Sequence, residues 1–381
     1  MRRPATRRDD SPVHETGGYS VRVSDEPDDP AWDDFLEEAP GSAYTQTSCW
    51  GRARASIGWR PIRVVVRENG RIVGGAQMER RALPAGGDAG LVYRGPVIRA
   101  DCPDVVRLVL DEMMAMGRSS NVQYLAVQPP RDGDAMQGEL TRLGFRHGLL
   151  DVTYMYSPAA VCVDLRADLD ELLAEMSASR RRNVRLAEKG DAVVRRGSEA
   201  DLPIFNRLKD AHSTRIGYPR REGAYYVELW RALTPRKHIE LFIAEYEGEP
   251  VCASLVLAFG NTTHHIERPW SGEHAELRAT ELVEWEAFKW AKAEGYLFAD
   301  VGGIEGPAAE AALSGKPDSV DPSYGASIFK LRWGGQVVAN PPFLDYVYNP
   351  VLRFGYRCIP ENVMRSAWME GLVKRLRGTG A

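Results

Sequence analysis

Long apolar segments and paired cysteines are both missing from this sequence. No apolar run reaches the roughly 18 residues that a membrane-spanning helix needs. Residues 1–18 lack the apolar centre of a signal peptide, and we expect them to form a disordered tail. The five cysteines are odd in number and far apart, without a Cys-x-x-Cys pair or a Cys/His spacing typical of zinc. We therefore expect reduced thiols, a cytoplasmic location and no bound metal.

Several catalytic motifs are missing as well, and each absence argues against a class of mechanism. No GxSxG sequence occurs, so the nucleophile turn of a serine hydrolase is not indicated. No GxxxxGK[ST] sequence marks a phosphate-binding P-loop, which leaves an ATP-driven reaction without support. The formal net charge of -4 argues against a protein that coats nucleic acid, and we expect no DNA partner, although a local basic patch is compatible with this charge.

The composition that is present is typical of a soluble globular protein with two domains. Its 381 residues are 44% hydrophobic and 27% charged, and this length can bury a large core. The order of predicted elements repeats. Residues 62–78 and 239–259 each read as a strand hairpin, and residues 103–127 and 277–300 each read as a helix followed by a strand. The repeat predicts an α/β (α+β) fold of two lobes, each a mixed central sheet flanked by helices.

The same pattern predicts where these parts begin and end. After the tail we expect a first lobe at residues 19–165, a basic helical connector at 166–190, a second lobe at 191–345, and C-terminal helices packing back on the lobes at 346–381.

A glycine pair and a lysine near the end of the chain form the most informative pattern. Gly302-Gly303 follows an apolar strand that ends at Asp300, and Lys330 lies on an apolar segment that begins after Tyr324. Glycine permits close approach of a ligand, and a lysine among apolar neighbours holds positive charge where negative charge develops. The pattern indicates a cleft that binds and polarises an acyl donor. The alternative is that the glycines only close turns and the lysine is solvated on a buried stem.

Asp300 is the one carboxylate that we single out for proton transfer. It is a candidate general base at the end of the strand, and a buried structural carboxylate is the alternative.

Basic side chains recur in a segment that we expect to be helical. Arg181, Arg185 and Lys189 are spaced four residues apart and would share one face of that helix. Such a stripe can hold the backbone phosphates of an RNA. The alternative is a solvated helix between the two lobes.

Two further arginines are candidates for anion binding. Trp50 and Arg54 lie one turn apart on a predicted helix, where they form either a stacking and phosphate-holding pair or part of a packed surface helix. Arg215, shortly before Tyr218, either clamps a phosphate or carboxylate or forms a salt bridge to a linker.

A histidine pair on a predicted strand does not indicate a metal site. His264 and His265 are adjacent and therefore point to opposite faces. His265 and Glu267 would share a face, either as a polar surface of the strand or as substrate contacts.

Taken in order, these motifs resemble the Fem family of peptidyl-aminoacyl transferases, a branch of the GNAT acyltransferase superfamily. The resemblance covers about residues 20–375 and is carried by six segments: YTQTSCWGRAR (44–54), YRGPV (93–97), SRRRNVRLAEK (179–189), Thr214-Arg215 ahead of Tyr225-Tyr226, DVGG (300–303) and IFKLRWGG (328–335).

This resemblance implies two tandem GNAT-like lobes with a cleft between them. It also implies transfer of an amino acid from a charged tRNA to an amine, most often on a peptidoglycan precursor and in some relatives on a small metabolite. By the matching motif, Lys330 would stabilise charge on the donor ester and Phe329 would position a substrate through its backbone. Arg215, and Arg54 where the family commonly has lysine, would bind acceptor phosphates. The implied substrate-binding residues are Trp50, Arg54, Arg215, Tyr218, Gly302, Gly303 and Tyr324.

The implied reaction needs no resident cofactor, because an aminoacyl ester is already activated and the charged tRNA itself is the co-substrate. The R/QxxGxG/A loop that binds coenzyme A in ordinary GNAT enzymes is not evident, which ranks an acyl-CoA donor second. A non-catalytic module that holds an anionic ligand is the third interpretation. We expect a monomer with at most peripheral membrane contact.

Overall fold

The computed structural model describes residues 13–84, 86–99, 102–131, 133–148, 157–217 and 223–358. The chain divides into two compact units, residues 1–152 with 343–381, and residues 153–342. Each unit contains one mixed β-sheet flanked by helices, which confirms the predicted fold class.

The elements follow one another along the chain in this order. The strands are β1 (Val13–Thr16), β2 (Tyr19–Ser24), β3 (Arg60–Glu68), β4 (Arg71–Ala82), β5 (Asp88–Tyr93), β6 (Val97–Ile98), β7 (Val122–Gln128), β8 (Arg146–His147), β9 (Ala159–Asp164), β10 (Val193–Arg196), β11 (Ile239–Tyr246), β12 (Glu249–Phe259), β13 (Thr262–Glu267), β14 (Phe298–Ile304), β15 (Gln336–Ala339) and β16 (Leu344–Val347). The helices are α1 (Pro30–Glu38), α2 (Ser48–Ala55), α3 (Pro103–Ser119), α4 (Asp134–Arg142), α5 (Leu169–Glu175), α6 (Ala178–Ala187), α7 (Leu202–Ile216), α8 (Gly223–Leu233), α9 (Ala279–Ala293), α10 (Gly306–Leu313), α11 (Gly325–Leu331) and α12 (Pro350–Cys358).

The sheet of the first unit is built around a hairpin and a parallel pair. Its strands lie in the order β1-β2-β3-β4-β5-β7-β16-β8, and β6 pairs with β4. The β3–β4 hairpin turns at Asn69-Gly70, where both residues have positive φ, as a tight two-residue turn requires. Strands β5 and β7 are parallel and connected by α3. That helix packs its apolar face on the sheet, with Val105, Val109, Leu110, Met113 and Met116 buried.

The sheet of the second unit repeats this plan in the order β10-β11-β12-β13-β14-β9-β15. Strands β13 and β14 are parallel and connected by α9. Their pairing ends at His264 and Asp300, although the strands continue to Glu267 and Ile304. On its other side β14 pairs with β9, with a bulge between Asp300 and Gly302. The repeated order of elements predicted from the sequence is therefore present in both units.

Two predicted boundaries of the first lobe are wrong. Within the predicted disordered tail, Val13–Thr16 is a strand that pairs with β2 across a Gly17-Gly18 turn; residues 1–12 lie outside the described residues. At its other end, the first lobe does not extend to residue 165. Strand β9 belongs to the second sheet because it pairs with both β14 and β15.

The connector and the C-terminal boundary also differ from the prediction. Helices α5 and α6 of the predicted connector lie within the second unit. Strand β16 spans the predicted boundary at residue 345 and joins the first sheet, because Leu344 and Tyr346 bury their side chains in its core. Helix α12 follows it, and the rest of the predicted C-terminal helices, residues 359–381, lies outside the described residues.

None of the described helices is both long and apolar enough to cross a membrane. None of the five cysteines is in a disulfide bond in the structure.

Candidate active site

Lys330 lies on α11 with its ammonium group directed at the end of β14. The side chain is half-buried, and its Nζ donates a hydrogen bond to the backbone carbonyl of Gly303. A Cβ atom at Gly302 would lie 3.6 Å from the Cε atom of Lys330. The structure therefore brings together the lysine and the glycine pair that the sequence singles out.

The glycines are required by the backbone of the bulge. Gly302 has a φ of +107°, which side chains rarely allow, and its N–H donates to the Oδ1 atom of Asp300 at 2.9 Å. A Cβ atom at Gly303 would lie 2.2 Å from the side chain of Ser157. Both positions thus need glycine, for conformation at the first and for space at the second.

The surroundings of Lys330 lower its proton affinity. Burial and, to a smaller extent, the nearby Arg268 lower the pKa of Lys330 to about 8, against the opposing effect of Asp300, Glu305 and Glu284. At pH 7 Lys330 is therefore protonated in most molecules, and a fixed positive charge lies beside the Gly302-Gly303 bulge. Such a charge can stabilise an oxyanion that forms there.

The carbonyl group of Phe329 is held by a buried arginine. Arg180, on α6, donates from NH2 to the Phe329 oxygen at 3.0 Å, and its guanidinium lies 4.1 Å from the centre of the Phe329 ring and 4.7 Å from that of Trp333. It also pairs with Glu281 at 2.7 Å. Burial lowers the pKa of Arg180 to about 10, where it stays charged at neutral pH. Arg180 thus fixes the helix that carries Lys330.

Asp300 and Tyr324 are the two other predicted residues on the elements that form this site, β14 and the start of α11. Asp300 is buried, accepts the Gly302 N–H, and lies 3.6 Å from the Nδ1 atom of His264. Its contact with the bulge gives it a structural role in addition to the predicted catalytic one. Tyr324 is the N-cap residue of α11 and is half-buried, six residues before the lysine.

Sequence reasoning missed a buried charge cluster behind the bulge. Glu284, on α9, is fully buried and accepts from Arg268 at 2.9 Å, with His265 at 3.1 Å. Burial raises the pKa of Glu284, but Arg268, His265 and Arg180 outweigh it and hold the pKa at about 2. The signal in the sequence is an acidic residue among the apolar residues of the α9 segment, since buried charges are found with partners.

The prediction that His265 and Glu267 share a strand face is wrong. The register of β12 and β13 shifts so that His265 and Glu267 lie opposite the consecutive residues Val256 and Leu255. Because consecutive strand residues face opposite ways, this shift between β12 and β13 places the side chains of His265 and Glu267 on opposite faces of the sheet. Glu267 instead accepts hydrogen bonds from other groups, Lys209 at 2.6 Å and Tyr226 at 2.8 Å.

The model of the FemAB family matches residues 28–249, more than half of the chain. The chain belongs to the FemAB family. A curated relative in Staphylococcus epidermidis, a lipid II:glycine glycyltransferase, is 22% identical over 395 residues, covering 84% of this chain and 91% of its own length. The resemblance that the motifs indicate is therefore confirmed.

Solved structures show the same fold. FemX has a TM-score of 0.75 and 19% identity, covering 86% of this chain and 97% of its own. A tandem GNAT protein from the clavulanic acid biosynthesis pathway has a TM-score of 0.50 and 12% identity, covering 87% of this chain and 99% of its own. The FemAB chain therefore has the tandem GNAT-like fold that was predicted, and it is an acyltransferase.

Two predicted acceptor-binding residues of this FemAB protein lie in the first unit, on α2. Arg54 is buried, donates from Nε to Glu79 at 2.9 Å, and has its guanidinium 4.8 Å from the centre of the Trp59 ring. Burial raises the pKa of Glu79, while hydrogen bonds from Arg54 and Trp50 oppose the shift. Trp50 also packs edge-on against Tyr44. Phosphate binding by Arg54 stays a prediction, in which the anion would compete with Glu79.

Arg215 is exposed at the end of α7. It donates to the Trp270 carbonyl at 3.0 Å, approaches the Nδ1 atom of His212 at 2.8 Å, and stacks 4.5 Å from the centre of the Trp270 ring. These contacts hold the guanidinium in place while it stays accessible, as a phosphate clamp needs. Tyr218 lies outside the described residues.

The predicted basic stripe is shorter than the sequence indicates. Helix α6 ends at Ala187, and the chain turns there toward β10, so Lys189 lies beyond the helix. Arg181 donates to the Ala174 carbonyl at 2.9 Å and thereby caps α5. Arg185 and Lys189 are exposed. Arg185 and Lys189 therefore stay available to an RNA phosphate, whereas Arg181 is partly engaged by α5.

Among the residues that the structure describes, no group of three or more His, Cys, Asp or Glu side chains is arranged to hold a metal ion.

Proposed function

We propose that this FemAB-family acyltransferase moves an aminoacyl group from a charged tRNA to the amine of a peptidoglycan precursor or of a peptide-like small metabolite. One observation carries the proposal: the Lys330 ammonium is held beside the glycine bulge of β14, on a strand of a GNAT-like sheet. The names of the curated relatives, which are lipid II:glycine glycyltransferases, support a cell-wall acceptor.

In the proposed reaction the acceptor nitrogen attacks the ester carbonyl of the aminoacyl-tRNA. The C–N bond forms, an oxyanion develops on the carbonyl oxygen, and the C–O bond to the ribose then breaks. The proton of the amine passes to the leaving ribose oxygen. Lys330 stabilises the oxyanion, which lowers the barrier by roughly 3 kcal/mol by analogy with a single oxyanion-hole donor. Binding both substrates together contributes further.

The donor side of the proposal draws on exposed cations of the second unit. Arg185 and Lys189 are solvent-exposed and can contact tRNA phosphates without reading sequence. We propose a cytoplasmic, monomeric enzyme that needs no resident cofactor.

The test is incubation of the purified protein with total charged tRNA and cell-wall precursors, with products read by mass spectrometry. We expect an acceptor whose mass increases by one aminoacyl residue, and loss of this product after RNase treatment. Product formation that resists RNase but requires acyl-CoA would replace the tRNA donor. The absence of product with every donor would leave only a binding function.

A matched pair of lysine variants tests the observation that carries the proposal. Lys330→Ala should lose on the order of 100-fold in kcat, because the oxyanion loses its fixed charge. Lys316→Ala removes an exposed lysine of the same unit and should retain the wild-type rate. Equal rates for the two variants would remove Lys330 from the mechanism.

A further inference from the structure

The ends of β13 and β14 are joined by an arginine side chain instead of by strand pairing. Regular pairing ends at His264 and Asp300. Immediately beyond it, Arg268 donates from NH1 to the carbonyl of His265 at 3.2 Å and from NH2 to the carbonyl of Val301 at 2.8 Å. The guanidinium therefore bridges the separated strands through their own backbone oxygens.

A buried carboxylate holds this guanidinium in place. The NH1 group of Arg268 donates to Glu284 at 2.9 Å, and Glu284 is 0% exposed in the middle of α9. Ser254 of β12 also approaches Glu284, at 3.4 Å. Arg268 is thus connected to both strands and, through Glu284, to the helix that links them. A planar guanidinium with several N–H donors suits this position better than an ammonium group does.

The bridged segment is the one that Lys330 contacts. Val301 immediately precedes Gly302 and Gly303, and the carbonyl of Gly303 accepts from Lys330. The guanidinium also lies 5.7 Å from the centre of the Phe329 ring, one residue before the lysine. The bridge and the lysine therefore act on the same few backbone atoms from two directions.

We propose that Arg268 is a positioning residue of the transfer reaction, which holds the Gly302-Gly303 bulge at the place where Lys330 meets the reacting carbonyl. This proposal rests on the proposed function. Arg268 does not touch the reacting atoms. Without it, two backbone carbonyls and a buried carboxylate lose their donor, and the bulge can shift. A displacement of about 1 Å at a reacting centre is enough to cost on the order of 100-fold in rate.

Arg268 also changes the charge that Lys330 experiences. The charged groups that face Lys330 are Arg268 itself, Asp300 on β14, Glu305 after β14, and Glu284 on α9. Arg268 is the cation among them and lowers the pKa of Lys330. Replacing it with a neutral residue should raise that pKa, so that Lys330 stays protonated to higher pH.

The experiment compares Arg268→Gln and Arg268→Lys with Arg195→Gln. Arg195 is a matched control, since it pairs with Asp201 at 2.8 Å and Glu245 at 2.9 Å in the same unit. We expect kcat to fall on the order of 100-fold in Arg268→Gln with little change in the KM for the donor. The high-pH limb of its kcat profile should move upward from about 8. Arg268→Lys keeps the positive charge but loses the planar guanidinium with its several N–H donors. In this variant kcat should fall, while the high-pH limb of the kcat profile should stay near its wild-type position.

Hydrogen exchange gives a readout that needs no activity. Amides of β14 should exchange faster in both Arg268 variants than in the wild type or in Arg195→Gln. If wild-type protein transfers nothing, the proposed function fails, whereas unchanged exchange and kcat in Arg268→Gln would overturn the positioning role alone. If Arg268→Gln does not fold, Arg268→Lys decides: wild-type kcat and exchange in that variant would also overturn the proposal.

Discussion

At the scale of single residues, the site depends on a lysine, Lys330, that is charged although it is half-buried. Burial disfavours the ammonium form of Lys330, and the carboxylates of Asp300, Glu305 and Glu284 favour it. These opposing effects leave the pKa of Lys330 low enough for its deprotonation to appear in a kinetic pH profile. The pH dependence of the proposed reaction is therefore a direct test of this side chain.

We expect kcat to fall as the pH rises through about 8, because only protonated Lys330 stabilises the oxyanion. Above that pH the fall should approach tenfold per unit. The measurement is kcat over the range from roughly pH 6 to 10, with Lys330→Arg as the comparison, since a guanidinium stays charged throughout. Lys330→Arg should be slower at neutral pH but lack the limb, and the same limb in this variant would contradict the assignment.

Gly302 should be intolerant of any side chain. Gly302→Ala places a Cβ atom on a backbone with φ of +107° and 3.6 Å from Lys330, so we expect loss of about 1–3 kcal/mol of stability and loss of most activity. Gly315→Ala is the control, because Gly315 has a φ of +75° but open space around it. The Gly315→Ala variant should be less stable than the wild type, while the kcat of its folded form should be unchanged. Activity and thermal unfolding of both variants are the measurements, and full activity in Gly302→Ala would be the contrary result.

At the scale of elements, the parallel pairs explain where the site forms. Strands β13 and β14 need the crossover helix α9, and that helix brings Glu284 beneath the point where the strands part. Alternating and helical apolar patterns predict these elements because burial imposes the periods. The bulges, one in β14 and one between β12 and β13, cannot be recognised from these apolar patterns. One places Gly302 at the site, and the other moves Glu267 away from His265.

Glu284→Gln should destabilise the second unit by about 3 kcal/mol at pH 7, since Arg268, His265 and Arg180 lose their shared counter-charge. Glu284 has a folded pKa of about 2, below its ordinary value of 4.5. Its contribution is therefore complete above about 4.5 and is lost as the pH falls toward 2. Urea unfolding at several pH values measures the difference between wild type and variant, which should shrink on acidification.

Glu286→Gln on the same helix is the matched control. Glu286 lies partly exposed at the surface, with 33% of its side chain accessible, and pairs with Lys289 at 2.5 Å, a contact that contributes less than about 1 kcal/mol. Equal destabilisation by the two variants would mean that the buried cluster contributes nothing beyond a surface ion pair.

At the scale of the whole molecule, the chain does not complete one unit before it begins the next. Strand β16 lies between β7 and β8 in the first sheet, although it follows the entire second unit in sequence. Phe343, Leu344 and Tyr346 are buried there. The first unit should therefore depend on residues from both ends of the chain.

A chain that ends after Pro342 should fail to fold its first unit, whereas one that ends after Tyr348 should retain it. Each buried side chain of β16 contributes roughly 2 kcal/mol, and the sum is comparable to the net stability of a domain. Thermal unfolding followed by circular dichroism compares the two chains with the full-length protein. An unchanged first transition in the shorter chain would show that β16 is dispensable.

Most helices and strands, the repeated order that makes two sheets, and the residues Gly302, Gly303 and Lys330 could be predicted from the sequence, whereas strand β1 and helix α10 were not. These features follow from local rules, since hydrophobic periodicity, turn residues and an isolated charge can each be recognised within a short stretch of sequence. The folded structure was needed to show that β9 and β16 join sheets distant in sequence, that Lys189 lies beyond its helix, and that Arg54 faces Glu79. It also showed that Arg268 bridges the carbonyls of His265 and Val301. Such pairings join groups that are far apart in the sequence and meet only when the chain folds. Buried charges and strand edges need partners, and a short segment of sequence does not show which distant residues those partners are.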